Sequence, residues 1–436
     1  MSEINKAIRG TSDLLPDKSF WRQCVETEAL EIAETYGFNE IRVPVIEHTE
    51  VFTKSVGDTT DVVQKEMYTF TDKGGRSITL RPELTAGTVR SVIEHGLLND
   101  ALPLKVSYIG SCYRYEKPQA GRYREFHQFG VECFGAADPS ADAEVIALAG
   151  SVLETVGVDK LSLEINSIGC PECRKDYHAA LKAYFEDKKD GLCETCRDRL
   201  ERNPMRILDC KCPECKEIAK GAPVVTDFLC KDCAEHFEGV KKHLTAAGLE
   251  YTVNPHIVRG LDYYTRTVFE FVSGDIGAQS TVCGGGRYDG LVKQMGGPDT
   301  PALGFGMGLE RLMLVLEACG AKPQQRDNCF VYIATMGEAA KLKATELCAE
   351  LRKGGFFALT DISGRGVKAQ MKYADKIGAV YTTVIGDDDL ASGTVRLKKM
   401  DDGSVTEVKL DCFCDKVDEL FGDMMMQKII DSNIEK

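Results

Sequence analysis

Side chains that could bind a small charged substrate are concentrated between Val106 and Phe134. Residues on either side of a basic loop alternate as in two strands of a hairpin, and alternate residues of a strand share one face. With Gly130 leaving a gap, those faces carry Tyr108, Cys112 and Arg114 on the first strand and Phe126, Gln128 and Glu132 on the second. An aromatic ring, a guanidinium, an amide and a carboxylate suit a purine, a phosphate and a small zwitterion. The pattern also leaves open a sheet with a solvated polar face.

Four further segments carry charged, aromatic or glycine-rich groups: Thr79–Gly87, His256–Phe269, Cys283–Gly290 and Ala302–Arg311. In the first, Pro82 lies just inside a predicted helix start, which leaves Glu83 and Thr85 near exposed backbone N–H groups, so capping is the alternative to binding. In the last, alternate glycines leave one strand face bare for a flat ring, with Arg311 in the first turn of the following helix.

The elements that must position these groups fall into three regions. Residues 1–168 and 246–320 mix helical and strand patterns, including a helix from Leu309 to Cys319. Residues 169–245 are rich in cysteine and charge with helical stretches, which is typical of an insertion. Residues 321–327 have linker composition, and 328–436 alternate strand and helix before a hairpin, which predicts an α/β domain.

Composition bounds the class of protein. The 436 residues carry 54 Lys+Arg and 68 Asp+Glu, so the net charge is 54 − 68 = −14. That figure alone argues against a nucleic-acid partner, although it does not describe how the charges are distributed. No apolar run approaches the roughly 18–20 residues of a membrane helix, and Met1–Asp13 has no signal-peptide core. We therefore expect a cytoplasmic protein without a membrane partner.

Nine of the 18 cysteines lie between Cys170 and Cys233. Patterned cysteines in a reducing compartment more often bind metal or do redox chemistry than form disulfides. Four CxxC pairs are present: Cys170/Cys173, Cys193/Cys196, Cys212/Cys215 and Cys230/Cys233, with Cys210 in addition. Nineteen residues separate the first two pairs, which fits a four-cysteine zinc site, and 14 separate the last two, which falls just short. One or two structural Zn²⁺ ions or reduced thiols in a helical subdomain are the two interpretations, neither with a catalytic role.

Several of these segments resemble the motifs of a known enzyme class, in the right order. Gly37–Pro44 resembles motif 1 of class II aminoacyl-tRNA synthetases, Arg114–Phe126 resembles motif 2, and Gly304–Arg311 resembles motif 3. Residues 258–270 and Gly284–Gly290 resemble the two signatures of the histidyl-tRNA synthetase family. The resemblance covers nearly the whole chain. It implies an α+β catalytic domain with an antiparallel sheet, a helical Cys-rich insertion and a C-terminal α/β anticodon-binding domain.

The resemblance also implies a reaction and its site residues. The enzyme would activate L-histidine with ATP and Mg²⁺, release pyrophosphate and transfer histidine to the 3′ end of tRNA(His). Histidine would contact Glu83, Thr85, Gln128, Glu132, Tyr263, Tyr264 and Tyr288. ATP would contact Arg114, Glu116, Phe126 and Arg311, with Arg114 and Arg259 as the catalytic residues at the α-phosphate. A site that hydrogen-bonds both imidazole nitrogens rejects analogues that lack one of them, because such analogues would leave a buried polar group of the site unpaired.

Partners follow from the same resemblance. The loop of motif 2 would meet the acceptor stem through Gln119, Arg122 and Arg124, or else be a solvated loop. In the terminal domain, Arg365, Lys368 and Lys372 are candidates for tRNA contact, and a merely solvated helix face is the alternative. Motif 1 implies a homodimer. The competing function is a non-catalytic regulatory paralogue of an ATP phosphoribosyltransferase, which usually lacks the terminal domain and the signature arginines.

Overall fold

The structure is a computed structural model that describes residues 3–57, 60–158, 160–210, 212–257, 259–274, 281–321 and 328–434. It divides into two compact units, Met1–Gln324 and Gln325–Lys436. The Cys-rich insertion, residues 169–245, lies within the first unit by this division. All but the first residue of the linker predicted at 321–327 fall outside the described residues.

The first unit contains helices and strands in mixed order. Its strands are β1 Asn39–Glu40, β2 Ile46–His48, β3 Tyr68–Thr71, β4 Ser77–Leu80, β5 Leu104–Tyr113, β6 Glu125–Phe134, β7 Leu161–Ser167, β8 Thr252–Val253, β9 Thr265–Ser273, β10 Thr281–Arg287 and β11 Ala302–Gly308. Its helices are α1 Pro16–Thr35, α2 Thr49–Val56, α3 Thr85–Glu94, α4 Pro139–Thr155, α5 Pro171–Glu186, α6 Glu194–Arg202, α7 Met205–Leu208, α8 Pro213–Ala219, α9 Lys231–Ala246, α10 Leu291–Gln294 and α11 Leu309–Ala318.

An eight-stranded sheet organises this unit, in the order β1-β5-β6-β11-β10-β9-β7-β8. The six central strands pair antiparallel, whereas β1 and β8 add to the two edges in parallel. The predicted hairpin is confirmed as β5 and β6, with Tyr108 opposite Gly130. The antiparallel catalytic sheet is therefore confirmed, and the parallel edge pairings are an addition that the motifs did not predict.

Helices cover one side of this sheet because their apolar residues recur at helical spacing. The buried residues of α1 recur every four positions from Trp21 to Ala33, and the same core includes residues of α4, α9 and α11. A buried ionic network ties these layers together. The Arg287 guanidinium contacts Asp142 of α4, whose other partner is His236 of α9 at 3.2 Å. Burial alone would raise the pKa of Asp142, but the hydrogen bond with His236 and the charge of Arg287 hold it below its ordinary value.

The insertion is helical, as predicted, and comprises α5 to α9. Tyr177, Leu181 and Phe185 recur every four residues along α5 and are buried in one hydrophobic cluster with residues of α6, α7 and α8.

A second, three-stranded sheet, β2-β4-β3, precedes α3.

The second unit is the predicted α/β domain. Its elements are β12 Val331–Thr335, α12 Glu338–Lys353, β13 Ala358–Thr360, α13 Val367–Lys376, β14 Tyr381–Ile385, α14 Asp387–Ser392, β15 Thr394–Lys399, β16 Val405–Lys409 and α15 Phe413–Ile434. The sheet order is β13-β12-β14-β15-β16, parallel among the first three strands and antiparallel in the hairpin. Among the described residues, no helix has the length and apolarity needed to cross a membrane.

Candidate functional site

A cavity of about 500 Å³ lies in the first unit. Most of the substrate residues predicted from the sequence line it: Glu83, Thr85, Arg114, Glu116, Arg122, Phe126, Gln128, Arg259, Tyr263, Tyr264 and Arg311. They come from four separated segments of the sequence, and the sheet and α3 bring them to one place. Glu132 and Tyr288 are not on the cavity surface but are buried next to it, against Tyr108, which does line it.

The alternate glycines of β11 make room for side chains of β6, while Gly306 and Gly308 also line the cavity. Gly304 pairs with Glu132 and Gly308 with Gln128 in the antiparallel register. A Cβ at Gly304 would collide with the Glu132 carboxylate, and one at Gly306 would come within 3.0 Å of the Gln128 amide nitrogen. The bare face predicted from the sequence is therefore occupied in part by these two polar groups.

Glu132 is the deepest ionisable group beside the cavity. Its carboxylate accepts hydrogen bonds from the Tyr108 hydroxyl at 2.7 Å and from the Tyr288 hydroxyl. Burial raises its pKa to about 8, although the tyrosine hydrogen bonds act in the opposite direction. Tyr263 stacks edge-on against Tyr288, with ring centroids 5.4 Å apart. The site thus has a carboxyl whose charge is adjustable near neutral pH within an aromatic wall.

The helix predicted at Pro82 is present but starts later, because α3 begins at Thr85 with Leu84 at its N-cap, so Pro82 lies before the helix and not inside it. The Glu83 carboxylate accepts hydrogen bonds from the backbone N–H groups of Thr85 at 2.6 Å and Ala86 at 2.9 Å. This is the capping contact that the sequence left as an alternative. Because Glu83 also lines the cavity, capping holds a buried carboxylate in place without removing it from the site. Burial raises the pKa of Glu83.

Arg259 forms an ion pair that the sequence did not predict. Its guanidinium contacts the Glu270 carboxylate, and Thr281 donates a hydrogen bond of 2.8 Å to the same carboxylate. Glu270 also lines the cavity. The position of Glu270 in the signature segment was the available signal, but the fold of the chain before β9, which brings Arg259 to Glu270, is not visible in the sequence. The ion pair thus lies on the cavity wall.

The remaining ATP candidates form a second group on the cavity wall. The Arg114 guanidinium lies over the Phe126 ring, 5.2 Å from its centroid. Arg311 donates to the backbone oxygens of Gly121 at 3.0 Å and Thr281 at 2.8 Å. A cationic plane and an aromatic plane are therefore both present, as stacking with a flat ring requires.

Glu116 joins this group to the motif 2 loop through an ion pair with Arg122. Of the other loop candidates, Gln119 pairs with Arg122 through the backbone, and Arg124 stacks on Tyr115 at 3.9 Å. Neither Gln119 nor Arg124 lines the main cavity; Arg124 lines a smaller neighbouring one.

The candidates in the second unit lie at and before α13. Lys368 and Lys372 are exposed on this helix. Arg365 is half-buried, because it pairs with Asp361 at 2.6 Å and stacks on Tyr373 at 4.1 Å. Arg365 is thus engaged within its own unit, whereas the two lysines present their charges to solvent.

The cysteines of the insertion form two groups of four, and each group could hold a metal ion. One contains Cys170, Cys173, Cys230 and Cys233, and the other contains Cys193, Cys196, Cys210 and Cys215. The grouping predicted from sequence order, in which neighbouring pairs combine, is therefore wrong: the first pair meets the last. Cys212 is also outside both groups, because its thiol points to the Glu214 carboxylate at 2.8 Å while Cys210 takes its place.

Comparison with known proteins is consistent with this geometry. A family model for histidyl-tRNA synthetase matches residues 10–312, and one for an anticodon binding domain matches residues 330–420. The chain is 52% identical over 408 residues to the histidine–tRNA ligases of Caldanaerobacter subterraneus subsp. tengcongensis and Acetivibrio thermocellus. Each alignment covers 94% of this chain and 98% of the relative.

Solved structures give the same result. The crystal structure of the apo histidyl-tRNA synthetase of S. aureus is 39% identical and superposes with a TM-score of 0.81, covering 94% of this chain and 99% of that one. A Bacillus halodurans C structure described as an ATP phosphoribosyltransferase regulatory subunit/histidyl-tRNA synthetase is 23% identical with a TM-score of 0.64, covering 88% of this chain and 99% of that one, which shows a shared fold alone. The regulatory paralogue is not favoured, because the ligases match over nearly the full chain. The chain belongs to the histidyl-tRNA synthetase family, with an anticodon-binding domain in its second unit.

Proposed function

We propose that the cavity of the first unit is where this chain carries out the histidine–tRNA ligase reaction of its family. The reaction joins L-histidine and ATP into histidyl-adenylate, with release of pyrophosphate, and then transfers histidine to the 3′ end of tRNA(His). The observation that carries the assignment is the convergence of three guanidinium groups, those of Arg114, Arg259 and Arg311, on a cavity that also presents buried carboxyl groups and tyrosines.

Histidine would occupy the inner part of the cavity. Glu83, Thr85 and Gln128 would hold its α-amino group. In support, the Glu83 carboxylate lines the cavity and is held there by the backbone N–H of Thr85 at the start of α3. Glu132 and Tyr264 would contact the two imidazole nitrogens. Tyr263 and Tyr288 would complete the wall, and Tyr288 would act through its hydrogen bond to Glu132.

ATP would occupy the outer part. Phe126 and Arg311 would enclose adenine, Glu116 would lie beside it, and Arg114 and Arg259 would contact the α-phosphate. A carboxylate oxygen of histidine then bonds to the α-phosphorus, while the bond to the bridging oxygen breaks and pyrophosphate leaves with the electron pair. The arginines stabilise the charge that develops on phosphorus, and positioning supplies most of the remaining acceleration.

The residues present fit the Mg²⁺ that class II chemistry uses. The cavity surface carries the carboxylates of Glu116 and Glu270, and Mg²⁺ is bound by one or two carboxylates together with phosphate oxygens. When bound, the ion would neutralise charge on the departing pyrophosphate. In the structure Glu116 pairs with Arg122 and Glu270 with Arg259.

We propose that tRNA(His) contacts two surfaces. One is the motif 2 loop with Gln119, Arg122 and Arg124, and the other is the α13 surface with Arg365, Lys368 and Lys372. The exposed lysines of α13 support the second, since phosphate contacts run on accessible positive charge.

The organisation of the chain is part of the same proposal. Residues 1–168 and 246–320 form the catalytic domain, 169–245 the insertion domain and 328–436 the anticodon-binding domain, joined by a linker at 321–327. The chain would act as a homodimer in the cytoplasm. None of the 18 cysteines is in a disulfide. The insertion would hold structural Zn²⁺ without a catalytic role.

Amino-acid-dependent ATP–pyrophosphate exchange tests the function. We expect exchange with histidine and none with the other standard amino acids. Absence of exchange with histidine, or equal exchange with another amino acid, would overturn the assignment. Light scattering of the purified chain tests the homodimer separately.

A further inference from the structure

The two cysteine groups have the dimensions of mononuclear metal sites. Within each, all four sulfur atoms lie within 4.8 Å of one another. The Sγ atoms of Cys170 and Cys173 are 3.6 Å apart, and those of Cys193 and Cys210 are 3.8 Å apart. Tetrahedral coordination at a Zn–S distance of about 2.3 Å places sulfurs about 3.8 Å apart, whereas a disulfide would hold them at about 2.05 Å. The spacing therefore fits one ion in each group.

The surrounding backbone favours thiolates at these positions. Cys170, Cys193 and Cys230 each lie at the N-cap of a helix, α5, α6 and α9 respectively, where the helix dipole stabilises negative charge. The backbone N–H of Cys230 donates to the Cys173 sulfur at 3.1 Å. The backbone N–H of Cys193 donates to the Cys215 sulfur at 3.3 Å in the other group. Each group thus contains a cysteine at a helix N-terminus and a sulfur that accepts a backbone N–H.

The two groups are nested along the chain and hold different parts of the insertion. The outer group, Cys170, Cys173, Cys230 and Cys233, joins the start of α5 to the start of α9. The inner group, Cys193, Cys196, Cys210 and Cys215, joins α6, α8 and the turn after α7. An ion in the outer group would close the base of the insertion where it meets the catalytic sheet.

The outer group is connected to the histidine side of the cavity. Arg174 follows Cys173 on α5 and donates to the backbone oxygen of Tyr264 at 3.0 Å. Gly169 precedes Cys170 and accepts a hydrogen bond of 2.9 Å from the backbone N–H of Arg266.

Backbone strain lies at this connection. Arg266 has a φ of 52°, the one positive φ of a residue other than glycine in the described part of the chain. The Arg266 oxygen accepts from the Ile168 N–H at 2.8 Å, so both of its backbone groups are held by the residues that precede Cys170. Strain of this kind persists only where neighbouring structure imposes it.

The inner group contacts the same substrate segment at another point. Arg206 of α7 lies between Cys196 and Cys210 and donates to the Gly260 oxygen at 2.9 Å and to the Asp262 carboxylate at 2.7 Å. The segment from Arg259 to Arg266 is therefore held from two sides by residues next to the two cysteine groups.

We propose that each cysteine group binds one Zn²⁺ and that the pair of ions positions the 259–266 segment for histidine binding. Cys210, and not Cys212, is a ligand of the inner ion. The positioning part of this inference rests on the proposed histidine site, whereas the metal part does not. Zn²⁺ acts here on the shape of the pocket and touches neither substrate.

The metal part is tested by elemental analysis of the purified full-length chain and its Cys→Ser variants. We expect two Zn²⁺ per wild-type chain, one in Cys210→Ser and in Cys230→Ser, and two in the matched control Cys212→Ser. Replacement by Co²⁺ gives the visible spectrum of tetrahedral thiolate coordination and needs no variant to fold. Fewer than two ions in the wild type, iron in place of zinc, or an ion lost from Cys212→Ser but not from Cys210→Ser would overturn the proposal.

The positioning part is tested by Arg174→Ala, with Lys175→Ala as the control because Lys175 is exposed and pairs only with Glu172 within the described part of the chain. We expect Arg174→Ala to keep both ions and to raise KM for histidine about 10-fold, with KM for ATP unchanged, as loss of a charged hydrogen bond predicts. An unchanged KM for histidine would refute positioning. Pyrophosphate exchange by the wild type separates the two ways in which the inference could fail. If the proposed function is wrong, neither the wild type nor any variant exchanges pyrophosphate; if only positioning is wrong, the wild type exchanges and Arg174→Ala has the same KM for histidine.

Discussion

The Tyr108 hydroxyl reaches across Gly130 and donates a 2.7 Å hydrogen bond to the Glu132 carboxylate. Tyr108 and Gly130 are directly opposite in the β5–β6 ladder, and a Cβ at Gly130 would meet the Tyr108 ring at 2.5 Å. The glycine therefore lets an aromatic side chain cross the strand to the next inward-facing residue. The buried Glu132 carboxyl therefore has a hydrogen-bond donor, the Tyr108 hydroxyl, that comes from the neighbouring strand and not from its own.

Glu132→Gln should change how the stability of the protein depends on pH. Burial raises the pKa of Glu132 from 4.5 to about 8, so the folded state disfavours ionisation. The resulting stability is fully present below about pH 4.5 and is lost as pH rises towards 8. Relative to Glu132→Gln, the wild type should lose stability across that window, as measured by urea unfolding at several pH values. Equal pH slopes for the two proteins would contradict the assignment.

The same substitution should weaken histidine binding. Glu132 has a pKa of about 8 in the free protein, and accepting a hydrogen bond from an imidazole N–H would favour its ionised form. An amide cannot ionise, and a hydrogen bond to a charged group contributes about 1.5–3 kcal/mol. We expect KM for histidine to rise about 10- to 100-fold in pyrophosphate exchange. A normal KM in Glu132→Gln would show that Glu132 does not contact the substrate.

Arg259→Ala should abolish adenylation while the fold remains intact. Removing a preorganised group that stabilises transition-state charge costs about 100- to 1,000-fold in rate, and a guanidinium on the reacting phosphate should lie at or beyond the upper end. Pyrophosphate exchange measures the loss, and circular dichroism verifies the fold. Arg76→Ala, on an exposed turn where Arg76 pairs with Asp72, is the control and should exchange normally. Retained activity in Arg259→Ala would refute the role given to that residue.

Gly304→Ala and Gly306→Ala form a matched pair on one strand. The Cβ of the first would collide with the Glu132 carboxylate and a backbone oxygen of β6, whereas the second would meet only the end of the flexible Gln128 side chain. We expect Gly304→Ala to destabilise the protein by about 2–3 kcal/mol and Gly306→Ala by less, measured by urea unfolding. The reverse order would show that β11 moves away from β6 more easily than the register implies.

Lys368→Ala/Lys372→Ala should impair aminoacylation through tRNA. Loss of two exposed charges should raise KM for tRNA several-fold and should lower the salt dependence of binding by about one unit of slope for each phosphate that is no longer neutralised. Lys341→Ala, an exposed lysine of α12 that pairs with Glu338, is the control. A tRNA KM and salt slope equal to those of the control would identify α13 as a solvated surface only.

Much of the fold was predictable because strand alternation, helical spacing and turn residues act locally. Helix α11 and the β5–β6 hairpin are local patterns of this kind and were predicted near their observed bounds. The ion pair of Arg259 with Glu270 and the contact of Tyr108 with Glu132 were not predicted. The first depends on how the segment before β9 folds back onto that strand, and the second depends on the register between β5 and β6. The glycines of motif 3 were recognised as making space, but not for which side chains.

The sequence by itself determined the family, the order of the domains and the set of cysteines available to a metal, since each is written in residue types at short spacing. Only the tertiary structure decided which cysteines meet: Cys170 lies with Cys230 rather than with Cys193, and Cys210 replaces Cys212. Spacing limits which residues can share a site, but the packing of α5 to α9 decides which thiols point inward. Tertiary packing likewise decides that Glu132 lies beside the cavity and not on its surface, because Tyr108 and Tyr288 pack against its carboxylate.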